Sequence, residues 1–239
     1  MNTIKIERKN CRMVAHRGVS GLERENTCPA FVAAGVKSYF GVETDVHVTK
    51  DGKYIISHDS NIQRVTGVDM VIEQSNFDDL RAAKVFDSDG KTHRSDLLLP
   101  TLEDYVNICK KYDKVCVLEL KEEMEEKHIQ GIAETIRGMG WYEKTIFISF
   151  WQNNLVTLRR LYADAKAQFL TDKVTEKTYE FLTRYGFGAD LGGSGISKEI
   201  FKRLHEKGIE VNCWTIDDPA FAKELIEWGA DYLTTNILE

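Results

Sequence analysis

Strand and helix signals that alternate along the whole chain predict an α/β fold, and their number favours a TIM (β/α)₈ barrel. The chain has 239 residues, a length that one barrel domain can occupy. Eight short runs rich in β-branched residues are candidate strands, and amphipathic segments of helical period separate most of them. An open doubly wound sheet is the alternative, and eight repeats in a chain of this length favour the closed barrel.

The candidate strands are runs of five to nine residues of mostly apolar character. They are RMVAH from Arg12, FGVETDVHV from Phe40, KVCVLELK from Lys114, TIFISF from Thr145, AKAQFL from Ala165, GFGADL from Gly186, EVNCWTI from Glu210 and ADYLTT from Ala230. The clearest helical segments begin at Thr101, Glu125 and Ser197. The last of these ends in Lys-Gly, which is a common helix stop.

Residues 59–99 interrupt this rhythm with mixed signals and few strand patterns. The interval is too long for an ordinary loop between a strand and a helix. We interpret it as an insertion between the second strand and the second helix. No linker or low-complexity tract marks a boundary, so we expect a single domain over 1–239.

Composition and charge exclude several classes of partner. Hydrophobic residues make up 42% and charged residues 29%, enough apolar material for a large core, and the net charge is −6. The charges are interspersed, so the chain lacks the basic field that nucleic acids or acidic lipids attract. We therefore expect a small-molecule substrate, no nucleic acid and no stable membrane association.

Cysteine usage favours a cytoplasmic location. The five cysteines are odd in number and scattered, without a C-x-x-C pair, which is typical of free thiols in a reducing compartment. The opening segment MNTIKIERKN is polar and charged, so we expect no signal peptide, and no run approaches the ~20 apolar residues of a membrane span.

Three carboxylates fall on predicted strands whose ends form the mouth of a barrel, where active sites of this fold lie. Glu43 and Asp45 are two residues apart and share one face of the second strand, and Glu119 lies in the apolar run VCVLELK. Glu43 and Asp45 alone are also compatible with an exposed strand edge. A charge inside a buried strand needs a partner, and a divalent cation, Mg²⁺ or Ca²⁺, provides one for all three carboxylates.

Histidines and cations follow the same strand ends. His16 and Arg17 end the first strand, His58 follows a short extended run, and Lys121 follows Glu119. Two histidines together can serve as an acid/base pair, although each alone is more often structural. Arginine and lysine suit a phosphate group. The set predicts metal-assisted cleavage of a phosphoester. We expect no role in the site for the four other histidines, which we place in outward, loop or helix positions: His47, His93, His128 and His205.

The motifs resemble those of the glycerophosphodiester phosphodiesterase family along most of the chain. The matching elements are A-H-R-G at Ala15, E-N-T at Glu25, E-x-D-V at Glu43, T-x-D-G at Thr49, H-D at His58, R-x-T-G at Arg64, P-T-L-E at Pro100, E-x-K at Glu119, S-F at Ser149 and V-x-x-W-T at Val211.

The resemblance implies a TIM barrel that hydrolyses glycerophosphodiesters to glycerol 3-phosphate and an alcohol. It assigns acid/base catalysis to His16 and His58, one divalent cation to Glu43, Asp45 and Glu119, and phosphate binding to Arg17 and Lys121. It also implies that the insertion helps to cap the glycerol end of the pocket.

Four further residues have expected roles in or near the site. Phe150 and Trp214 are expected either to wall the pocket or to belong to the core. Glu25 is expected to orient groups near the metal or phosphate, and Asn26 either helps it or caps the helix that follows.

Departures from the family pattern concern the shape of the pocket. Arg24 replaces a usual proline, Val65 stands in the R-x-T-G element, and the last strand ends Thr235-Asn236 instead of the usual T-D. They leave all proposed catalytic positions intact.

Other functions on the same fold remain open at this point. Lysophospholipase D or phosphatidylinositol phospholipase C activity would call for an apolar approach surface, and residues 59–99 offer only DMVI at Asp69 and DLLLP at Asp96. A barrel that only binds a phosphorylated ligand is disfavoured, because the acid/base and metal residues are all present. The sequence leaves open the oligomeric state, the headgroup, the choice of cation, which histidine is the acid, and whether water or the glycerol 2-hydroxyl attacks.

Overall fold

Eight parallel strands close into a ring in the computed structural model, which describes residues 2–192 and 196–239. A ninth, short strand pairs antiparallel with the carboxyl end of the second strand. The strands are β1 (Arg12–Ala15), β2 (Gly41–Val48), β3 (Tyr54–Ile56), β4 (Val115–Leu120), β5 (Thr145–Ser149), β6 (Lys166–Thr171), β7 (Gly188–Gly192), β8 (Val211–Trp214) and β9 (Tyr232–Thr235).

The ring follows the order β1-β2-β4-β5-β6-β7-β8-β9 and closes where β1 pairs with both β2 and β9. All these neighbours are parallel, and each of the eight candidate strands supplies one of them. The predicted TIM barrel is therefore confirmed. The antiparallel strand β3 is the short extended run that precedes His58.

Helices cover the outside of the ring, and short ones that follow β3 lie beside its mouth. They are α1 (Cys28–Gly35), α2 (Gln63–Thr66), α3 (Phe77–Ala82), α4 (Leu102–Lys111), α5 (Glu126–Gly138), α6 (Gln152–Leu161), α7 (Glu176–Tyr185), α8 (Lys198–His205) and α9 (Pro219–Trp228). Helices α4, α5 and α8 lie where the three clearest periodic segments predict them. In the described part of the chain, no helix is both long and apolar enough to cross a bilayer.

Local sequence signals explain where the helices begin and end. Helix α4 starts with a capping box, in which Thr101 and Asp104 each bond the other's backbone N–H. Helix α9 starts with the Asp218 side chain as its N-cap and Pro219 in its first turn, and it ends at Gly229 in the left-handed region.

Successive side chains along each strand point alternately into two apolar layers, as the period of two requires. On β4, Cys116 and Leu118 face the main core between strands and helices, whereas Val117 faces the barrel interior. Glu119 has the same parity as Val117, so the interior also carries the site carboxylates. Inward-facing apolar side chains fill the rest of the barrel.

Residues between β3 and α4 form a small layer of their own beside the barrel mouth. Helices α2 and α3 and a 3₁₀ turn at Ile72–Gln74 surround a separate apolar cluster. Leu97 and Leu99 of the DLLLP segment are buried in this cluster, and Met70 of the DMVI segment packs against it. These two segments therefore serve packing and leave no wide apolar surface.

Candidate active site

A pocket of about 200 Å³ opens at the carboxyl ends of the ring strands. It is lined by His16, Arg17, Glu43, His58, Glu119, Lys121, Ile148, Phe150, Leu170, Asp190, Trp214 and Thr234. A larger cavity of about 520 Å³ lies among the N-terminal ends of β6–β8, at the opposite end of the barrel, and holds none of the predicted site residues. The chemistry therefore belongs to the smaller pocket.

Three buried carboxylates form the acidic centre of this pocket. Glu43, Asp45 and Glu119 each bring an oxygen within 4.8 Å of the others. The register of the sheet explains the meeting, because Asp45 pairs directly with Glu119 across β2 and β4. Lys121 Nζ lies 3.0 Å from Glu119 and 3.4 Å from Asp45. Clustered carboxylate oxygens are the donor set that Mg²⁺ or Ca²⁺ prefers, so the residues fit a divalent cation.

The pKa values show how poorly the centre accommodates its own charges. Burial, and then the charge of Asp45, raise the pKa of Glu43 well above its usual value. The same causes raise the pKa of Glu119 to about 8. Burial also opposes ionisation of Asp45, but Lys121 and Arg17 outweigh it and lower the pKa of Asp45. The protein's own cations thus compensate one carboxylate of three.

The backbone turn after β1 places Arg17 against the acidic centre. Arg17 adopts a left-handed φ of 52°, and its N–H donates to Glu43 Oε2 at 2.8 Å. Its guanidinium donates to Glu25 at 2.9 Å, with Nε 3.7 Å from Asp45. Gly18 follows with φ 79°, and a Cβ there would lie 2.6 Å from atoms of Ala30. The strained turn holds the guanidinium at the pocket wall.

The two histidines line the same pocket with different partners. His16 Nδ1 lies 2.8 Å from Asn236 Oδ1, and burial together with Arg17 lowers the pKa of His16. His58 Nδ1 lies 2.7 Å from the carboxylate of Asp59. The structure therefore brings His16 and His58 together, as the sequence predicts, and leaves them in unequal electrostatic surroundings.

An ion-pair chain joins the two sides of the mouth. The second oxygen of Asp59 accepts from Arg64 Nε at 2.5 Å, and Arg64 donates twice to Glu25, at 2.8 and 3.0 Å. Glu25 in turn accepts from Arg17. Burial opposes ionisation of Glu25, but the two arginines outweigh it and lower the pKa of Glu25 to about 2. Glu25 thus lies beside the pocket and orients Arg17.

Asn26 supports the acidic centre and does not cap α1. Its Nδ2 donates to Asp45 at 2.7 Å, and its Oδ1 accepts from Thr44 at 2.7 Å. Thr27 is the N-cap of α1, because its hydroxyl accepts from the Ala30 N–H. The expected capping role is therefore wrong, and the side chain bonds Asp45 and Thr44 rather than Glu25.

The aromatic residues Phe150 and Trp214 form one wall of the pocket. Their rings meet edge to face with centroids 5.6 Å apart, and both line the cavity. Phe150 is 41% exposed, which core packing does not allow. The wall therefore describes Phe150, whereas Trp214 both lines the cavity and packs against the interior apolar cluster.

Sequence patterns alone missed some residues of the site and placed one of them on the wrong face. The outward placement of His47 is wrong: the side chain is buried, and Nε2 lies 3.3 Å from the His58 carbonyl oxygen. Its even spacing from Asp45 was the available signal. Asp190 of β7 is buried in the pocket lining, and burial raises the pKa of Asp190 to about 8. The sequence shows Asn236 only as a departure from the usual T-D ending, and nothing local predicts its contact with His16 across 220 residues of sequence.

The mouth of this closed β/α barrel carries two histidines, the ion-paired Arg17 and Lys121 side chains and an acidic centre. This is the architecture of a barrel phosphodiesterase. The model of the glycerophosphoryl diester phosphodiesterase family matches residues 16–239. The chain belongs to this family and is an enzyme of the phosphoric diester hydrolase class.

Individual relatives agree over nearly the whole chain. A lysophospholipase D of Mus musculus is 32% identical over 94% of this chain and 79% of its own. A glycerophosphodiester phosphodiesterase of Bacillus altitudinis is 24% identical over 94% of each chain. The structure of an Oleispira antarctica phosphodiesterase, in complex with the product sn-glycerol-3-phosphate, superposes with a TM-score of 0.88 at 26% identity, covering 94% of this chain and 92% of that one.

Proposed function

We propose that the enzyme hydrolyses glycerophosphodiesters to sn-glycerol 3-phosphate and an alcohol, with one divalent cation and a two-histidine acid/base pair. The observation that carries the proposal is a single pocket. It is lined by both histidines, by the positively charged Arg17 and Lys121 side chains, and by two carboxylates of the acidic centre. The similar Oleispira antarctica phosphodiesterase holds sn-glycerol-3-phosphate, which supports this class of substrate.

The cation is proposed to bind Glu43, Asp45 and Glu119, whose oxygens already converge within 4.8 Å. When bound there, Mg²⁺ or Ca²⁺ supplies positive charge that polarises a phosphoryl oxygen and stabilises the charge of the transition state. Two of these carboxyl groups have raised pKa values, so the site is built for a charge that the protein itself lacks.

Arg17 and Lys121 are proposed to bind the remaining phosphate oxygens. Both side chains line the pocket, and both are fixed by carboxylates on one side, which leaves donors for an anion on the other. A fixed guanidinium matches the geometry of phosphate and costs little reorganisation during the reaction.

His16 and His58 are proposed to move the two protons of the reaction. One histidine takes a proton from the nucleophile as the new P–O bond forms, and the other gives a proton to the leaving alkoxide as the old bond breaks. The same scheme serves water or the glycerol 2-hydroxyl as nucleophile. ³¹P NMR during turnover separates the two, because only the second produces a cyclic phosphate.

Product analysis tests the proposal directly. Protein stripped of metal and supplied with glycerophosphoethanolamine should release glycerol 3-phosphate only after Mg²⁺ or Ca²⁺ is added. The His16→Gln and His58→Gln variants should each lose roughly 100-fold or more in kcat. The His128→Gln variant removes a histidine on α5, outside the pocket, and should keep full activity. No product with either ion and several headgroups would contradict the proposal.

Lysophospholipids are a second candidate substrate, favoured by exposed aromatic side chains at the mouth. Phe150 is 41% exposed and Trp151, directly after it, is 42% exposed. Exposed aromatic rings suit contact with an acyl chain, and the relative from Mus musculus is a lysophospholipase D. Comparing kcat/KM for lysophosphatidylcholine and glycerophosphocholine decides between the substrates, and a Trp151→Ser variant should lower only the first value.

Two further proposals concern context. All five cysteines are free, four of them buried, which supports a reducing, cytoplasmic location.

We also propose that residues 59–99 are an insertion within one domain, since they carry a separate apolar cluster and supply Arg64 to the site.

A further inference from the structure

The His16 ring is tied to an exposed carboxylate through one amide. His16 Nδ1 lies 2.8 Å from Asn236 Oδ1, and Asn236 Nδ2 donates to Asp217 Oδ2 at 2.5 Å. The backbone joins the same groups, because the His16 N–H donates to the Thr235 carbonyl at 2.9 Å. The loop after β8 and the end of β9 are thus coupled to the end of β1.

Asp217 fixes the orientation of the Asn236 amide. Its carboxylate can only accept, and it receives the Thr235 hydroxyl at 2.9 Å and the Asn236 backbone N–H at 2.7 Å besides the amide. The amide nitrogen must therefore face Asp217, which leaves the amide oxygen for His16. Ser20 Oγ, 2.5 Å from that oxygen, imposes no orientation, because a hydroxyl both donates and accepts.

An amide oxygen beside Nδ1 requires that Nδ1 carry the proton. The neutral His16 ring then has its lone pair on Nε2, for which the described residues provide no hydrogen-bond partner. The charged or titratable groups that act on the ring are Arg17, Asp45 and His58, and none of them is bonded to Nδ1.

We propose that Asp217, acting through Asn236, is a positioning residue that holds His16 as the Nδ1–H tautomer and makes its Nε2 the general base. This inference rests on the proposed function. Nε2 takes the proton of the attacking hydroxyl as the P–O bond forms. His58, whose Nδ1 faces the Asp59 carboxylate, gives a proton to the leaving oxygen as the P–O bond to the leaving group breaks.

The Asp217→Asn variant should reverse the sense of these hydrogen bonds. The new amide keeps its oxygen for the two groups from which Asp217 Oδ1 accepts, so its nitrogen faces Asn236. Asn236 must then turn its oxygen toward position 217 and its nitrogen toward His16, which forces the Nε2–H tautomer. We expect kcat to fall roughly 100-fold or more, the scale of a lost acid/base group.

Two neighbouring variants separate this effect from loss of charge or fold. Asp218→Asn removes the same charge one residue away, where the side chain only caps α9, and should leave kcat unchanged. The double variant Asp217→Asn with Asn236→Asp exchanges donor and acceptor. The carboxylate introduced at position 236 again accepts from His16 Nδ1, so the tautomer and at least about a tenth of the activity should return.

The decisive readout is ¹⁵N NMR of the histidine rings at pH 8, without substrate, with the His16 signals assigned by their absence in His16→Gln. A protonated Nδ1 in the unmodified protein, an unprotonated Nδ1 in Asp217→Asn and recovery in the double variant support the proposal. An Nε2–H ring in the unmodified protein, or an unchanged tautomer in Asp217→Asn, overturns it. Because the tautomer is measured without turnover, an enzyme inactive on glycerophosphodiesters would refute the proposed function and the general-base role, whereas the NMR result alone decides whether Asp217 sets the His16 tautomer.

Discussion

Metal affinity should increase steeply with pH, because the acidic centre holds protons that a cation must displace. We compare the cation affinity of metal-stripped enzyme at pH 6 with its affinity at pH 8. The pKa of Glu119 is raised to about 8 and that of Glu43 is also raised, so the metal-free site is protonated at neutral pH. Metal ligands bind as carboxylates, and binding therefore releases protons.

The size of the effect follows from the Glu119 value. With a pKa of about 8, about 1% of the Glu119 carboxyl is ionised at pH 6 and about half at pH 8, which makes binding about 50-fold tighter at pH 8. The raised pKa of Glu43 steepens the dependence further. Above about pH 9 the gain from Glu119 should level off.

Stability of the metal-free enzyme should change in the opposite direction. The folded pKa of Glu119, about 8, exceeds the ordinary value of 4.5, so its contribution is fully present below the unfolded pKa and is lost as pH rises through about 8. We therefore expect the Tm of the metal-free enzyme to fall from about pH 5 to about pH 8 and to level off above that. Saturating cation should reduce or reverse that fall.

Calorimetric titration of Mg²⁺ or Ca²⁺ in buffers of different ionisation enthalpy measures both the affinity and the protons released. We expect about one proton or more per cation at pH 7. The Asp190→Asn variant is the matched control, because it removes a buried carboxyl with a similarly raised pKa that lies outside the acidic centre. An affinity that differs less than threefold between pH 6 and pH 8, with no proton release, would contradict this prediction.

Three further changes test how the site is held. Asn26→Ala removes the donor to Asp45, and urea titration should show a loss of about 1–3 kcal/mol in unfolding free energy, with weaker cation binding. Gly18→Ala puts a Cβ into a left-handed, crowded turn and should lower Tm, whereas Gly138→Ala has free space and should not; equal melting curves would contradict this. Arg64→Met breaks the ion-pair chain at the mouth and should lower kcat/KM roughly tenfold without changing cation affinity in calorimetry.

Much of the barrel and its mouth could be read from local pattern. A strand alternates its faces every two residues, so the position of Glu43 relative to Asp45 follows from counting, and the ends of parallel strands must meet at one edge. The same counting would have placed His47 inside, beside Asp45, and its assignment to an outward position ignored that parity.

Contacts between distant segments could not be obtained in this way. Asparagine is a common N-cap residue, so the sequence alone allows Asn26 to cap a helix. The left-handed backbone of Asn26, with φ 52°, instead directs its amide to Asp45, and Thr27 caps the helix. Arg64 reaches Glu25 from a segment 39 residues away, and no periodicity encodes that distance.

The residue types of the site were therefore set by the sequence, whereas their protonation and orientation came from the packed barrel. Burial in a low-dielectric interior raises the pKa of Glu119, while Lys121 and Arg17 lower that of Asp45 beside it. His16 obtains its amide partner across 220 residues, because closure of the ring brings β9 against β1. Desolvation and hydrogen-bond direction depend on three-dimensional neighbours, and only the closed barrel supplies them.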